Sequence, residues 1–300
     1  MEDYAGKTVV ITGGTSGLGF ALAKILGGRG ASIVITGRRE EKGAEAVEKL
    51  QAEGVSARYL RQDVSSESDW NNLAFTVKSE FGGVDYLFNN AGVMLQPNAL
   101  MKTSVSDWKW IMDTNFWGSL YGLRVFSGLM FTQPEGGRIV TTASTAGVSA
   151  FSGWAPYSVT KTALVRLVEN YQAEAIKFEL DKVKYNVSLP GVFESEIANS
   201  TLHRNEEYNN INGNGQEMPL SVAHTESGDR LGMLTAEETA QIILDQIDEG
   251  CFYLLPHADL TERVVTLEAE AINNNGQPCE KLAAQGITGG GDNVDRLTMN

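Results

Sequence analysis

The fold of this chain is decided by residues 8–26, which read TVVITGGTSGLGFALAKIL. The first four residues form a short β-branched run, as expected for a strand that is buried on both faces. The run leads into a glycine-rich turn, and residues 20–26 after the turn place their apolar side chains at helical spacing. This order of strand, turn and helix predicts the first unit of an α/β fold with a parallel sheet.

The glycine turn predicts a site for phosphate groups. Glycines let the backbone approach a pyrophosphate closely, and the unpaired amides and the dipole at the start of the helix attract its negative charge. The spacing Gly-x-x-x-Gly-x-Gly differs from the commoner dinucleotide fingerprint Gly-x-Gly-x-x-Gly. A tight turn that binds no ligand is the alternative. The cofactor-binding residues predicted here are Gly13, Thr15, Ser16, Gly17, Leu18 and Gly19.

The second predicted strand, residues 31–36, ends in Gly37-Arg38-Arg39. A fold of this kind that selects NAD usually has an acidic residue here, which binds the ribose hydroxyls, whereas the 2′-phosphate of NADP requires an arginine instead. The sequence therefore favours NADP(H) over NAD(H) and predicts that Arg38 and Arg39 bind the cofactor. The alternative is that both arginines are solvated residues at the start of the next helix.

Further strand-like segments alternate with helical ones along the rest of the chain. The helical segments include residues 40–54, a long helix over 106–130, and a helix that contains Tyr157 and ends near Leu180. We predict a Rossmann-type α/β fold, a doubly wound parallel sheet of about seven strands with helices on both faces. The later strands are expected near residues 57–60, 85–88, 136–142, 185–189 and 252–255.

Polar and small residues follow the third and fourth strands. Asp63 and Val64 come after one of them, where an acceptor could bind the amino group of adenine, although Asp63 could instead cap the next helix. Asn90, Ala91 and Gly92 come after the other, where they suit close packing beside a cofactor or a simple turn.

Three residues in the middle of the chain suggest acid/base chemistry. Ser144 follows the fifth strand, and Tyr157 and Lys161 are four residues apart, so that they share one face of a helix. A free phenol has a pKa of about 10, and a close positive charge lowers that pKa by favouring the phenolate. Tyr157 could then exchange a proton with an oxygen during hydride transfer, while the Ser144 hydroxyl holds that oxygen. A surface Tyr and a surface Lys on an amphipathic helix are the alternative.

Together these motifs resemble the short-chain dehydrogenase/reductase family between about residues 7 and 255. The resemblance implies that Tyr157 is the general acid/base and that Ser144 positions the substrate oxygen. It implies that Lys161 lowers the pKa of Tyr157 and binds the nicotinamide ribose, and that Asn115 supports a water molecule in a proton relay. The motifs that carry the resemblance, in the family's order and spacing, are the glycine turn, Asp63-Val64, Asn89-Asn90-Ala91-Gly92, Asn115, Ser144, Tyr157, Lys161 and Pro190-Gly191.

The resemblance has two further implications. Pro190, Gly191 and Val192 are expected to contact the cofactor, as is Ser195, at a position where the family often has Thr. Family members often associate through the helices that carry the Asn and the Tyr, so a homodimer or homotetramer is expected.

The substrate side is predicted from apolar residues that flank the catalytic positions. With Ser144, the predicted substrate-binding residues are Met94, Phe151, Trp154 and Phe193. They favour a hydrophobic ketone or secondary alcohol, aromatic compounds included, although each could instead belong to the core. Residues 193–230 are expected to form a substrate loop, either a lid that orders on binding or a linker.

The domain prediction is one dinucleotide-binding and catalytic domain at residues 1–256 and a C-terminal extension at 257–300. The extension includes a glycine-rich stretch at residues 289–293, which is expected to be partly disordered unless a partner subunit holds it. Longer C-termini of this kind look like those of family members that act on bulky or aromatic alcohols.

The composition of the chain argues against several classes of function. The formal net charge of −14 argues against a nucleic-acid or anionic-membrane surface. Two cysteines in 300 residues fit a reducing compartment, and no signal peptide or membrane span is evident, so we expect a cytoplasmic protein. The three histidines are too scattered to predict a metal site.

The sequence thus predicts an NADP-dependent oxidoreductase that acts on a small hydrophobic carbonyl or alcohol. An NAD-dependent enzyme of the same family is one rival, and a non-catalytic cofactor-binding scaffold or sensor is another. A sugar-nucleotide epimerase is disfavoured by the glycine spacing and by the lack of an obvious second domain.

Overall fold

The computed structural model describes residues 3–208, 233–274 and 276. In this part of the chain, seven strands form one parallel sheet in the order β3-β2-β1-β4-β5-β6-β7. Because the strand order reverses at β1, a crevice forms at the carboxyl ends of β1 and β4. The sheet confirms the predicted fold class. The strands are β1 (Thr8–Thr12), β2 (Ser32–Gly37), β3 (Ala57–Arg61), β4 (Tyr86–Asn89), β5 (Gly137–Thr142), β6 (Val183–Ser188) and β7 (Tyr253–Leu254).

Eight α-helices are present in the described residues, together with four short 3₁₀ segments. The α-helices are α1 (Gly17–Gly28), α2 (Glu40–Ala52), α3 (Glu67–Phe81), α4 (Val105–Ile111), α5 (Gly118–Phe131), α6 (Ala155–Lys177), α7 (Ala236–Asp248) and α8 (Ala258–Asn273). The 3₁₀ segments are Leu100–Lys102, Thr145–Gly147, Glu196–His203 and Glu206–Tyr208.

Apolar side chains form a core layer on each face of the sheet. Val9 and Ile11 belong to the layer that includes α1 and α7, and Val10 between them belongs to the layer of α3, α5 and α6. This alternation explains why β1 is apolar at consecutive positions, since both of its faces are covered. In the second layer the fully buried rings of Trp70 and Phe126 meet edge to face, with centroids 5.8 Å apart.

The long helix predicted at 106–130 is present as a continuous helical stretch, but it is not a regular α-helix throughout. It is divided into α4 and α5 by a π-helical segment, Met112–Trp117. Two glycines let α5 approach its neighbours, because a Cβ on Gly118 would lie 3.0 Å from the Val64 carbonyl oxygen and one on Gly122 would lie 2.6 Å from the Trp70 ring. The division turns Asn115, within the π-helical segment, into the interior.

The first part of the C-terminal extension is folded onto the domain. Helix α8 buries Val264 against Val148 and Phe151, which lie near the carboxyl end of β5. The glycine-rich stretch at 289–293 lies outside the described residues, as does most of the predicted substrate loop beyond residue 208. No helix in the described ranges has both the length and the apolar character needed to cross a membrane.

Candidate active site

The residues that follow β1, β4 and β5 line a cavity of about 470 Å³. All but one of the residues predicted to bind the cofactor lie on its wall, and Gly19 is the exception. The predicted substrate-binding residues line the same cavity, so the two predicted sites are continuous. The predicted residues on the wall are Gly13, Thr15, Ser16, Gly17, Leu18, Arg38, Arg39, Asp63, Val64, Asn90, Ala91, Gly92, Met94, Ser144, Phe151, Trp154, Tyr157, Lys161, Pro190, Gly191, Val192, Phe193 and Ser195.

The glycine turn between β1 and α1 has the geometry that a pyrophosphate requires. Gly13 and Gly17 have φ values of +65° and +50°, which L side chains rarely adopt. The turn leads directly into the N-terminus of α1, whose first turn carries no acidic residue that would repel an anion. Gly19 lies behind the wall, where a Cβ would be 2.4 Å from the Gly13 carbonyl oxygen. Its observed role is therefore to let α1 pack against the turn.

Arg38 and Arg39 follow β2, and both face the segment that contains His203. The Arg38 guanidinium donates to the Asn205 side chain, and its Nη2 donates to the His203 carbonyl oxygen at 2.7 Å. Nη1 of Arg39 lies 2.8 Å from Nε2 of His203. Burial and the two guanidinium charges lower the pKa of His203. Both arginines are thus held at the cavity wall by hydrogen bonds rather than extending freely into solvent.

Asp63 does not cap α3, so that alternative is wrong. The N-cap is Ser66, whose hydroxyl accepts from the Asp69 amide at 3.2 Å. Asp63 accepts two hydrogen bonds from Ser65, at 3.0 and 2.6 Å, and one from Asn205 at 3.2 Å. Burial alone would raise the pKa of Asp63, but these hydrogen bonds outweigh it and hold the pKa below its ordinary value. Asp63 is therefore an ionised acceptor on the cavity wall.

Asn90 ties together the ends of three strands. Its Nδ2 donates to the Thr12 carbonyl oxygen at 3.0 Å, and its Oδ1 accepts from the Thr142 hydroxyl at 3.3 Å. The Thr12 hydroxyl accepts in turn from the amides of Asn90 and Ala91, at 2.9 and 3.0 Å. These bonds fix the backbone of β1, β4 and β5 where the strands meet the cavity.

Asn115 is fully buried and does not line the cavity. Its Oδ1 accepts from the Val93 amide at 2.8 Å, and its Nδ2 donates to the Val93 carbonyl oxygen at 2.9 Å and to the Thr160 hydroxyl at 3.3 Å. The side chain therefore joins the segment that follows β4 to α6. A role in a proton relay stays a prediction for this residue.

Ser144, Tyr157 and Lys161 come together on one wall of the cavity. The Ser144 hydroxyl donates to the Pro190 carbonyl oxygen at 3.4 Å and is hydrogen-bonded to Tyr157, in the first turn of α6. Nζ of Lys161 donates to the Thr142 carbonyl oxygen at 2.8 Å and lies 5.5 Å from the centroid of the Tyr157 ring. The helical spacing of four residues thus places the ammonium beside the phenol, as the sequence predicted.

Burial favours the neutral forms of both Tyr157 and Lys161. It raises the pKa of Tyr157 to about 12, and the hydrogen bond with Ser144 offsets only part of that increase. It lowers the pKa of Lys161 to about 7. The expectation that Lys161 lowers the pKa of Tyr157 is therefore wrong for this structure, because desolvation dominates and a lysine that titrates near neutrality is only partly charged.

The apolar part of the cavity lies around the catalytic tyrosine. The Trp154 and Tyr157 rings meet edge to face with centroids 6.2 Å apart, and Phe151 packs against Val264 of α8. Nε1 of Trp154 is buried and has no hydrogen-bond partner in the described part of the chain. Since a buried donor is normally paired, this indole leaves one donor available beside the tyrosine.

Several wall residues were not predicted from the sequence. Thr142 contributes a backbone carbonyl to Lys161, and backbone atoms leave no mark on residue type. His203 and Gln62 line the cavity or support it from segments that carry no motif. His257 was noted only as one of three scattered histidines, although its ring touches the loop that contains Gly191. These residues are recognised only by their proximity to the cavity in three dimensions. The sequence carries no motif that indicates this proximity.

Known proteins resemble this chain along most of its length. The family model for short chain dehydrogenases matches residues 7–206. The "C alpha-dehydrogenase" of Sphingobium sp. (strain NBRC 103272 / SYK-6) is 29% identical over 262 residues, which cover 87% of this chain and 84% of that protein. The "A-factor type gamma-butyrolactone 1'-reductase (1S-forming)" of Streptomyces virginiae is 32% identical over 237 residues, which cover 78% of this chain and 90% of that protein.

Solved structures resemble it as well. The crystal structure of a short chain dehydrogenase/reductase from Burkholderia phymatum in complex with NAD has a TM-score of 0.84 and 31% identity. The match covers 93% of this chain and 98% of that one.

The sheet, the glycine turn and the shared cavity together define a dinucleotide-binding fold with a serine, a tyrosine and a lysine together on one wall of the cavity. The chain belongs to the short-chain dehydrogenase/reductase family. It is accordingly an NAD(P)-dependent oxidoreductase that acts on a CH–OH group or the corresponding carbonyl.

Proposed function

We propose that this chain transfers a hydride between NADP(H) and a hydrophobic ketone or secondary alcohol, aromatic compounds included. The observation that carries the proposal is the single cavity lined by the glycine turn, by Arg38 and Arg39, by the catalytic residues and by apolar side chains. A cofactor and a substrate that share this cavity can react without an intervening wall of protein.

The catalytic residues have separate roles in this proposal. When bound, the nicotinamide supplies or accepts the hydride. Ser144 holds the substrate oxygen by a hydrogen bond, and Tyr157, which is hydrogen-bonded to Ser144, donates a proton to that oxygen during reduction. With a pKa of about 12, the phenol is protonated at neutral pH, which is the form that reduction needs. Reduction is the favoured direction where the cellular cofactor is mostly NADPH.

The end of β2 supports NADP(H) as the cofactor. No acidic residue stands at Gly37-Arg38-Arg39 to bind ribose hydroxyls, and both guanidiniums are at the cavity wall. Two observations favour NAD(H) instead. Arg38 already donates to Asn205 and His203. The similar protein from Burkholderia phymatum was crystallised with NAD. NADP(H) is favoured because no carboxylate at the end of β2 accompanies the two guanidiniums, and a carboxylate there would repel a 2′-phosphate.

Replacing Arg38 distinguishes the two cofactors. In Arg38→Ala we expect kcat/KM for NADPH to fall about 10- to 100-fold, the loss of one charge-assisted hydrogen bond, while kcat/KM for NADH changes little. Arg58→Ala is the matched control, because Arg58 on β3 pairs with Glu80 outside the cavity wall. Equal losses with both cofactors in Arg38→Ala would contradict the assignment of NADP(H).

The apolar wall supports a hydrophobic substrate. Met94, Phe151 and Phe193 line the cavity, and among the described residues its only lysine and arginine side chains are Arg38, Arg39 and Lys161. A panel of alkyl ketones, aryl ketones and phosphorylated ketones, followed by loss of NADPH absorbance, tests this directly. We expect the aryl ketones to have the highest kcat/KM, and a preference for phosphorylated ketones would contradict the proposal.

The non-catalytic scaffold or sensor is the rival from another class. A protein that only binds the cofactor has no need for Ser144, Tyr157 and Lys161 to meet beside the substrate wall, as they do here. Turnover of any member of the ketone panel above the uncatalysed rate excludes the rival.

We also propose that the chain forms a homodimer or homotetramer and works in the cytoplasm. Exposed apolar side chains on the helices that flank the catalytic wall, such as Val159 of α6 and Trp117 beside α5, support self-association. The free thiol of Cys251 supports a reducing compartment.

A further inference from the structure

His257 joins the C-terminal extension to the loop at the end of β6. It is buried and immediately precedes α8. Its Nδ1 accepts from the Gly191 amide at 3.0 Å, and its Nε2 lies 2.9 Å from the Val192 carbonyl oxygen. An imidazole that accepts at Nδ1 carries its proton on Nε2, so it can donate to Val192. One neutral ring thus pairs with the amide of Gly191 and the carbonyl of the next residue, Val192.

The loop is shaped to receive this ring. A Cβ on Gly191 would lie 2.9 Å from Cγ of His257 and 3.1 Å from Cδ2 of Leu260. Any side chain at position 191 would therefore push the imidazole and α8 away. The His257 ring therefore lies closer to the backbone at position 191 than any residue other than glycine would allow.

The same loop borders the catalytic wall. Pro190, Gly191 and Val192 all line the cavity. The Pro190 carbonyl oxygen accepts from the Ser144 hydroxyl at 3.4 Å and from the Thr145 amide at 3.0 Å. A shift of this loop would move both the cavity wall and the group to which the catalytic serine is hydrogen-bonded.

We propose that His257 is a positioning residue that holds the Pro190–Val192 loop in the conformation that binds the nicotinamide end of the cofactor. The imidazole acts through the loop and does not line the cavity itself. The inference rests on the proposed function in one respect, since it assumes that a nicotinamide lies against this loop. The C-terminal extension then supports the active site from outside the cavity.

The test compares three variants of the full chain. His257→Phe keeps a ring but removes both hydrogen bonds, and His257→Asn keeps one acceptor and one donor at the same branch point. Val265→Ala, at an exposed position of α8, is the control for changes in the helix. Amide hydrogen exchange across residues 189–193 is measured without cofactor, and NADPH binding is measured by fluorescence titration without substrate.

We expect exchange of the Gly191 amide to become at least about tenfold faster in His257→Phe, because its buried acceptor is gone. The Kd for NADPH should rise about tenfold and kcat should fall as well, and His257→Asn should recover most of both losses. Val265→Ala should match the original chain.

Two outcomes would overturn the inference. One is unchanged Gly191 exchange and unchanged NADPH affinity in His257→Phe. The other is a His257→Asn variant as impaired as His257→Phe, which would mean that the hydrogen-bonding groups at position 257 do not hold the loop. Failure of the proposed function looks different, because in that case the original chain itself would bind no NADPH or would reduce no ketone.

Discussion

At the scale of single residues, the catalytic wall is governed by burial. Lys161 and Tyr157 are both removed from water, and each is driven toward its neutral form, the lysine to a pKa of about 7 and the tyrosine to about 12. A neutral phenol is a competent proton donor, and a lysine that titrates near neutrality can gain or lose charge in response to its surroundings. Before any ligand binds, Tyr157 therefore carries its proton at neutral pH.

The lowered pKa of Lys161 predicts how folding stability depends on pH. Below pH 7 the lysine is charged in both states, and the folded state bears the full cost of burying the charge. Between about 7 and 10.5 the unfolded chain binds more protons than the folded chain, so this group makes the free energy of unfolding rise with pH.

Substituting Lys161→Met removes that dependence. We expect the Tm of the Met variant, minus that of the original chain, to be largest near pH 6 and to shrink steadily toward pH 10, because other titrating groups cancel in the difference. The Met variant also loses the hydrogen bond from Lys161 to Thr142. This loss lowers the Tm difference by the same amount at every pH, so it does not change the predicted trend. Thermal unfolding followed by circular dichroism at several pH values measures it, and a difference that does not vary with pH would contradict the buried-lysine account.

The meeting of Ser144, Tyr157 and Lys161 at one wall could be predicted from the sequence, but their pKa values could not. The spacing of Tyr157 and Lys161 fixes a shared helix face through local geometry alone. The depth at which that face is buried depends on packing around Pro190 and Thr142, which are distant in sequence, and burial reverses the expected shift of the tyrosine.

At the scale of elements, a strap of residues 196–208 lines the side of the cavity that contains Arg38 and Arg39. Arg204 forms a largely buried ion pair with Asp107 at the start of α4, and its guanidinium stacks 5.0 Å from the ring centroid of Trp110. The Tyr208 hydroxyl donates to Asp113 at 2.9 Å. The strap also supplies the partners of Arg38, so α4 anchors the element that holds the arginine proposed to select the cofactor.

Breaking this anchor should open the strap. In Arg204→Met we expect faster amide exchange across residues 196–208 and a Kd for NADPH that is raised about tenfold. Loss of one partner leaves Asp107 partly buried without its counter-charge, at a cost of about 3 kcal/mol that is relieved by local opening. For Arg204→Lys, which keeps the charge, the exchange rate and the Kd for NADPH should lie between those of Arg204→Met and those of the original chain. An unchanged exchange rate in Arg204→Met would show that other contacts hold the strap.

Elements with regular periodicity were predicted well, and irregular ones were not. Strand β1, α1 and α6 follow directly from apolar spacing. The π-helical segment around Asn115 could not be predicted, because it depends on where Gly118 and Gly122 must approach Val64 and Trp70. The strap lies in the predicted substrate loop, but its ion pair joins Arg204 to a residue 97 positions away.

At the scale of the whole molecule, the proposed oligomer has a direct test. Val159 on α6 and Phe75 on α3 are both exposed apolar side chains. We expect the original chain to show a mass of two or four chains by light scattering, and Val159→Arg to show a smaller assembly or a single chain. Phe75→Arg is the matched control and should leave the mass unchanged. A single chain mass for the original protein would contradict the oligomer.

The global architecture was predictable because an α/β sheet repeats one rule along the chain, with each apolar run followed by a helix. The strand order of the sheet is then sufficient to bring residues that are distant in sequence, such as Arg38, Ser144 and Ser195, to one cavity. The place of the C-terminal extension was not predictable, since the packing of Val264 on Phe151 and the contact of His257 with Gly191 arise only in three dimensions.

The central claim is that the Tyr157 hydroxyl transfers the proton during hydride transfer, and the Tyr157→Phe variant tests it most directly. With the best ketone of the panel and saturating NADPH, we expect kcat to fall by about 10²- to 10⁴-fold, the usual contribution of a positioned acid or base. The Kd for NADPH should stay within about threefold of the original, because loss of one hydroxyl removes at most a modest share of the contacts that bind the cofactor. A kcat that is unchanged in Tyr157→Phe would contradict the account.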